Sequence, residues 1–214
     1  MTLTGTGLSE VVTVAFGATP AAFTVLSDTT VVATAPAGSG TVQVTVTSPG
    51  GTSNGLPYTY LSAPVVTTVA PNQGPTAGGT TVTVTGSGFT GATDVRFGST
   101  PATTFTVVSG TQITAVAPPG GAGMVHLTVT TAGGTSSTFY YYLNAPVLTS
   151  VVPTQGPTSG GITLTLTGSG LSQASAVHFG AAAATSFTVV SDNQALATVP
   201  AGSGTVQVTV TSPG

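Results

Sequence analysis

The sequence predicts an all-β protein built from small β-sandwiches in tandem, and three observations predict it. Apolar residues alternate with threonine at period two, Gly/Pro clusters interrupt every run, and the pattern recurs at a spacing of about 82 residues. Val82 and Val84 alternate with Thr81, Thr83 and Thr85, and Val42, Val44 and Val46 with Gln43, Thr45 and Thr47. Val95 and Phe97 alternate with Asp94 and Arg96. Alternation of this kind turns one side of a strand to a core and the other to water. Phe105 and Val107 extend the same core, and Ile113 with Ala115 supply another strand. Roughly six to eight short strands per copy fit one sandwich. No segment carries a sustained helical period with caps.

The repeat defines the modules. Residues 71–89 read PNQGPTAGGTTVTVTGSGF, residues 153–171 read PTQGPTSGGITLTLTGSGL, and the chain opens on MTLTGTGL, the end of the same phrase. Segment 202–214 is identical to 38–50. The copies are read as 1–62 with the first strand missing, 63–144 complete, and 145–214 with the last strand missing. The glycines and prolines of the phrase are read as structural: Gly74, Pro75, Gly78, Gly79, Gly86 and Gly88, with counterparts Gly156, Pro157, Gly160, Gly161, Gly168 and Gly170. Pro71 to Pro75 is an extended piece broken by a turn, Gly78-Gly79 bends the chain into the next strand, and Gly86 and Gly88 flank a turn or bulge. A phosphate-cradling role would need a helix after the glycines, and another strand follows. Met1 aligns with Val82 and Leu164 in mid-strand, and Gly214 stops before the strand that Tyr58–Tyr60 supplies in the first copy. The expectation is a window on a longer covalent array, with no spare strand to donate. Native ends would instead leave open sheet edges for chain-to-chain pairing.

These residues bring a family into view. The order P-x-x-GP-x-x-GG-x-x-V-x-V-x-G-x-G-F, then V-x-F-G, then a Pro- and Val-rich segment, then Y-x-Y, resembles the IPT/TIG domain. The middle copy carries it through Pro71, Gly74, Pro75, Gly78, Gly79, Val82, Val84, Gly86, Gly88, Phe89, Val95, Phe97, Gly98, Pro118, Val125, Val129, Tyr140 and Tyr142. The resemblance implies immunoglobulin-like sandwiches without a disulfide. Its members range from receptor ectodomains and microbial surface arrays to accessory domains of polysaccharide-acting enzymes and some transcription factors, so the fold leaves function open. The joins Tyr60-Leu61-Ser62-Ala63-Pro64 and Tyr142-Leu143-Asn144-Ala145-Pro146 are short and proline-stiffened, so the expected arrangement is end to end, as a rod.

Composition then excludes most chemistry. Charged residues are 2% of the chain, against about 25% in ordinary domains. They are Glu10, Asp28, Asp94, Asp192 and Arg96, with His126 and His178 as the only imidazoles. With 40% hydrophobic residues and a net charge of −3, the chain lacks the signature of disorder. One arginine excludes phosphate-neutralising nucleic-acid binding. No apolar run is long enough to span a membrane, no cysteine offers a disulfide or thiolate ligand, and no N-x-[ST] sequon is present. The scattered carboxylates form no acid–base pair, so no enzyme is expected, and no catalytic, cofactor-binding or metal-ligating residue is assigned. Asp28 and Asp192 sit in matching SDT and SDN turns and read as Asx-turns. Asp94 and Arg96 read as a weak surface pair, and both histidines as solvated side chains on the outward face.

Two features remain for recognition. Tyr58/Tyr60 and Tyr140/Tyr142 read as last-strand core residues, whereas Tyr141 stands on the opposite face and is the one candidate surface recognition residue, suited to sugar stacking. The threonine rows TTVTVT, ITLTLT and TVQVTVT suit an exposed strand surface and are candidates for O-glycans. The expected function is a structural segment of an extracellular or cell-surface rod, stalk or filament that self-associates through its uncharged Thr/Val/Gly surface. The alternative is a carbohydrate-binding or adhesion module of a larger surface protein or polysaccharide-acting enzyme.

Overall fold

The structure is a computed structural model that describes residues 1–213. It divides into two compact units, Met1–Ala63 with Ala132–Gly134, and Pro64–Thr131 with Thr135 onward. The first unit holds one hydrophobic core and the second holds two.

The first module is made of β1 (Thr2–Thr4), β2 (Thr13–Phe16), β3 (Thr19–Ser27), β4 (Thr30–Thr34), β5 (Gly40–Ser48), β6 (Gly51–Thr52) and β7 (Leu56–Tyr60). The complete pattern is seen in the middle module. Its strands are β8 (Val65–Ala70), β9 (Gln73–Pro75), β10 (Thr81–Ser87), β11 (Asp94–Phe97), β12 (Thr100–Pro101), β13 (Thr104–Ser109), β14 (Gln112–Val116), β15 (Gly123–Thr131) and β16 (Gly134–Leu143). They form a four-stranded sheet in the order β13-β14-β10-β8 and a five-stranded sheet in the order β12-β11-β15-β16-β9. The third module comprises β17 (Val147–Val152), β18 (Thr163–Ser169), a single 3-10 turn at Leu171–Gln173, β19 (Ala176–Phe179), β20 (Ala182–Ala183), β21 (Ser186–Ser191), β22 (Gln194–Thr198) and β23 (Val208–Thr211), paired among the described residues in the orders β17-β18-β22-β21 and β20-β19-β23.

The period-two pattern does what alternation requires. Val82, Val84, Val95, Phe97, Ile113, Leu127 and Val129 point inward and are buried, joined by Phe89, Tyr140 and Tyr142 from the turns and the last strand. Each such side chain contributes about 1.5–3 kcal/mol on full burial. Phe105 and Val107 pack against this cluster while remaining only partly buried.

Two features go beyond the sequence reading. The first strand of the middle module changes sheets: β8 pairs antiparallel with β10, and after the cis Ala70–Pro71 bond β9 pairs in parallel with β16. The strand after β11 also changes sheets. Thr100–Pro101 pairs with β11 and Thr104–Ser109 with β14, and in the first module the same crossing is one continuous strand, β3. These short segments raise the middle module to nine strands, above the roughly six to eight expected.

Two glycine sites explain the local geometry of the repeated phrase. Gly78 and Gly79 have φ of 75° and 85°, and Gly160 and Gly161 have 69° and 84°, a left-handed bend that other residues resist. At Gly86 the β8–β10 register shifts, and a Cβ there would lie 1.9 Å from the Val65 carbonyl oxygen; at Gly168 it would lie 2.0 Å from that of Val147. Here glycine serves close approach of two backbones.

Candidate functional site

The titratable groups fall into small separate sets. Asp28 and Asp192 are not the local Asx-turns expected from their SDT and SDN contexts. The Asp28 carboxylate accepts hydrogen bonds from the Gly7 and Ser9 amides and from the Ser9 hydroxyl at 2.9 Å, about twenty residues upstream. Asp192 does the same with the Gly170 and Ser172 amides and the Ser172 hydroxyl at 2.7 Å. The serine hydroxyl first, then the two amides, hold each carboxyl below its ordinary value. Each carboxylate therefore pins the loop after one strand to a hairpin tip two strands away. Gly110 takes this place in the middle module and closes its loop through the Phe89 amide alone.

The outward face of the β12-β11-β15-β16-β9 sheet carries the densest side-chain chemistry. Phe97, Leu127, Tyr140 and Tyr142 point into the core, so their neighbours Arg96, His126, Phe139 and Tyr141 point out. Arg96 pairs with Asp94 through Nε and donates from Nη1 to the Ser99 carbonyl at 2.9 Å. His126 meets Phe139 in a tilted ring contact, 5.0 Å between centres and 50° between planes, and its Nδ1 lies 3.4 Å from the Ser137 hydroxyl. Phe139 is 46% exposed and Tyr141 39%. Tyr141 is locked in place from its backbone, its amide donating to the Asn72 carbonyl at 3.0 Å.

This cluster belongs to the middle module. On the matching strands the first module has Ala15, Gln43, Pro57 and Thr59, and the third has His178 and Gln207. The sequence singles out Tyr141 alone; the structure places Phe139 on the same outward face, with His126 in contact with Phe139. The missing signal was cross-strand register, which sets His126 against Phe139 and which no single strand reveals.

Behind this face the two inward tyrosines differ. Tyr142 donates to the Pro118 carbonyl at 2.6 Å, and burial, with the neighbouring Tyr140 hydroxyl, pushes its own hydroxyl up to about 12. The Tyr140 hydroxyl is also raised by burial. Thr80 lies beside it and offsets part of that shift, yet the two form no hydrogen bond of acceptable geometry, and the Tyr140 oxygen is buried without a partner. Among the described residues no three His, Cys, Asp or Glu side chains gather as metal ligands, and no helix is long and apolar enough to cross a membrane.

The IPT/TIG domain family matches this chain three times, over residues 1–60, 64–143 and 146–214. The chain belongs to the IPT/TIG domain family. Its modules are tandem immunoglobulin-like β-sandwiches. Among full-length relatives, Fibrocystin-L of Mus musculus is 34% identical over 115 residues, covering 52% of this chain and 3% of that protein. Fibrocystin-L of Homo sapiens is 32% identical over 141 residues, covering 64% of this chain and 3% of that protein. The chain thus spans about 3% of the length of the curated relatives it matches. Among solved structures, the plexin A4 full extracellular region is 17% identical with a TM-score of 0.45, covering 99% of this chain and 30% of that one.

Proposed function

We propose that this IPT/TIG array is a structural segment of an extracellular or cell-surface protein, a spacer whose modules follow end to end and whose uncharged faces associate with neighbouring copies. The observation that carries this reading is the tandem repetition of one sandwich on a surface almost empty of charge. Threonine rows cover the outward strand positions and join across strands through their hydroxyls, as Thr41 with Thr59 at 2.8 Å and Thr47 with Thr52 at 3.0 Å. Such a surface offers little like-charge repulsion to keep copies apart. A chain with one Lys/Arg residue also presents a single site to trypsin-like proteases, which suits an exposed location. The test is sedimentation velocity and negative-stain electron microscopy over a range of concentrations. Self-association into elongated assemblies is expected; compact monomers at every concentration would overturn the reading.

The face bearing Arg96, His126, Phe139 and Tyr141 favours a second reading, glycan recognition by the middle module. Exposed aromatic rings interleaved with hydrogen-bonding groups suit the apolar and polar faces of a sugar ring. Binding on a glycan array that is lost in Tyr141→Ala supports it, and an intact chain that binds no glycan removes it.

A further inference from the structure

In the middle module the first and last strands are joined, and the β12-β11-β15-β16-β9 sheet turns one face away from the core. Phe139 and Tyr141 on that face are the only exposed aromatic side chains among the described residues, and Met124 is 55% exposed. In the first module Thr41 stands opposite Thr59 and Gln43 opposite Pro57. The same register in the middle module sets Met124 beside Tyr141 and His126 beside Phe139, in agreement with the 5.0 Å ring contact. One apolar strip therefore runs along β15 and β16 where the first module has threonine, glutamine and proline.

The polar groups bordering this strip are already engaged. Arg96 pairs with Asp94 and donates to the Ser99 carbonyl, and His126 Nδ1 lies against the Ser137 hydroxyl. The charges of Arg96 and Asp94 cancel, and apolar area is what the face leaves unsatisfied. A sugar needs free donors and acceptors at such a site. A protein interface has aromatic, methionine and arginine side chains at its centre and few free charges. The strip has the second composition. Charge then narrows the partner. The rings of Phe139 and Tyr141 attract a guanidinium to their faces, and Arg96 is the only Lys/Arg residue of the chain. The matching face of a second copy brings that group without like-charge repulsion.

We propose that this face is a two-fold interface between copies of the chain, the middle modules packing sheet to sheet. The proposal rests on the self-association reading and assigns the contact to one patch in place of the threonine rows. Face-to-face sheets keep their strands roughly aligned, and a two-fold axis along β15 lays β11 of each copy over β16 of the other. Arg96 of one copy then approaches the Phe139 and Tyr141 rings of the other, and β15 lies over its own counterpart. Contact of this isologous kind joins copies in pairs. Phe139 and Tyr141 are exposed by 46% and 39%, which of roughly 150–250 Å² each gives about 130–210 Å² per copy at the centre. A stable interface covers about 800 Å² a side. The pairing is therefore weak and concentration-dependent.

The chain has no cysteine, so a single introduced thiol reports the contact without background. Thr128→Cys, on β15, should be joined to its own copy by a short bismaleimide, and Thr106→Cys, on the opposite sheet, should not. Sedimentation equilibrium up to millimolar protein should give a monomer–dimer Kd. Met124→Thr combined with Tyr141→Thr should raise it about tenfold or more, and Arg96→Gln about fivefold. The double variant copies Thr41 and Thr59 of the first module, so circular dichroism and melting should be unchanged. Monomers at every concentration overturn the self-association reading and this interface together. Association that survives the double variant, or that crosslinks as readily through Thr106→Cys, overturns the interface alone. A chain that stays monomeric and binds a glycan only while Tyr141 is intact overturns both in favour of sugar recognition.

Discussion

Tyr140 and Tyr142 sit two residues apart in one core, yet removal of their hydroxyls should have opposite consequences. Tyr142→Phe deletes the donor to the Pro118 carbonyl, a 2.6 Å bond inside the protein, and leaves that buried oxygen without its partner. An orphaned buried acceptor costs about 1–3 kcal/mol. For a domain of this size each kcal/mol moves the midpoint by about 4–8 °C, so a loss near 2 kcal/mol lowers the middle module's transition by about 8–16 °C. Tyr140→Phe deletes a hydroxyl that is buried and already unpartnered, so it removes a desolvation cost and leaves stability unchanged or slightly raised. The assay is scanning calorimetry, with hydrogen exchange on peptic fragments covering β14 and β15 to assign the transition that moves. Equal destabilisation by the two variants, or a larger effect of Tyr140→Phe, would refute the hydrogen-bond accounting.

Three further outcomes follow from the geometry. Gly86→Ala forces a methyl group against the Val65 carbonyl, so β8 should detach at a cost of about 1–3 kcal/mol and show faster exchange than β10. Asp28 and Asp192 have folded-state acidities stronger than the ordinary 3.8, so their stabilisation is present above pH 3.8 and is lost as pH falls through the lower folded value. Acid titration should therefore weaken the first and third modules, and Asp28→Asn with Asp192→Asn should flatten that dependence, as followed by exchange at Gly7–Ser9 and Gly170–Ser172. The Tyr142 hydroxyl is raised from 10.0 to about 12, so its contribution is complete below pH 10 and lost between 10 and 12. Tyrosinate absorbance should show this late titration, and Tyr142→Phe should reduce its amplitude by one hydroxyl, leaving the raised titrations of Tyr140 and Tyr60.

Much of the fold was legible because burial has a local signature. Val82/Val84 and Val95/Phe97 alternate with polar neighbours, Tyr140/Tyr142 repeat at the same spacing of two, and each set lies in the core. Pairing leaves no such signature. Nothing in Thr100–Ser109 says that its two ends belong to different sheets, since both ends need the same inward Ala102, Phe105 and Val107. Asp28 looked like a turn former because its partners Gly7 and Ser9 are brought to it by pairing of β1 with β4. Tyr141 was visible as an outward aromatic residue, whereas the contact of His126 with Phe139 depends on how β15 meets β16.

The parallel pairing of β9 with β16 has a mechanical meaning. The Tyr141 amide donates to the Asn72 carbonyl and the Thr76 amide to the Leu143 carbonyl, so the opening and closing stretches of the middle module lie side by side and point the same way. Tension pulling the two ends apart therefore loads these bonds along the strand axis, in shear. They must yield together, whereas a hairpin pulled open from its mouth breaks its bonds one after another. In the middle module, resistance to tension thus comes from the joining of the first strand to the last.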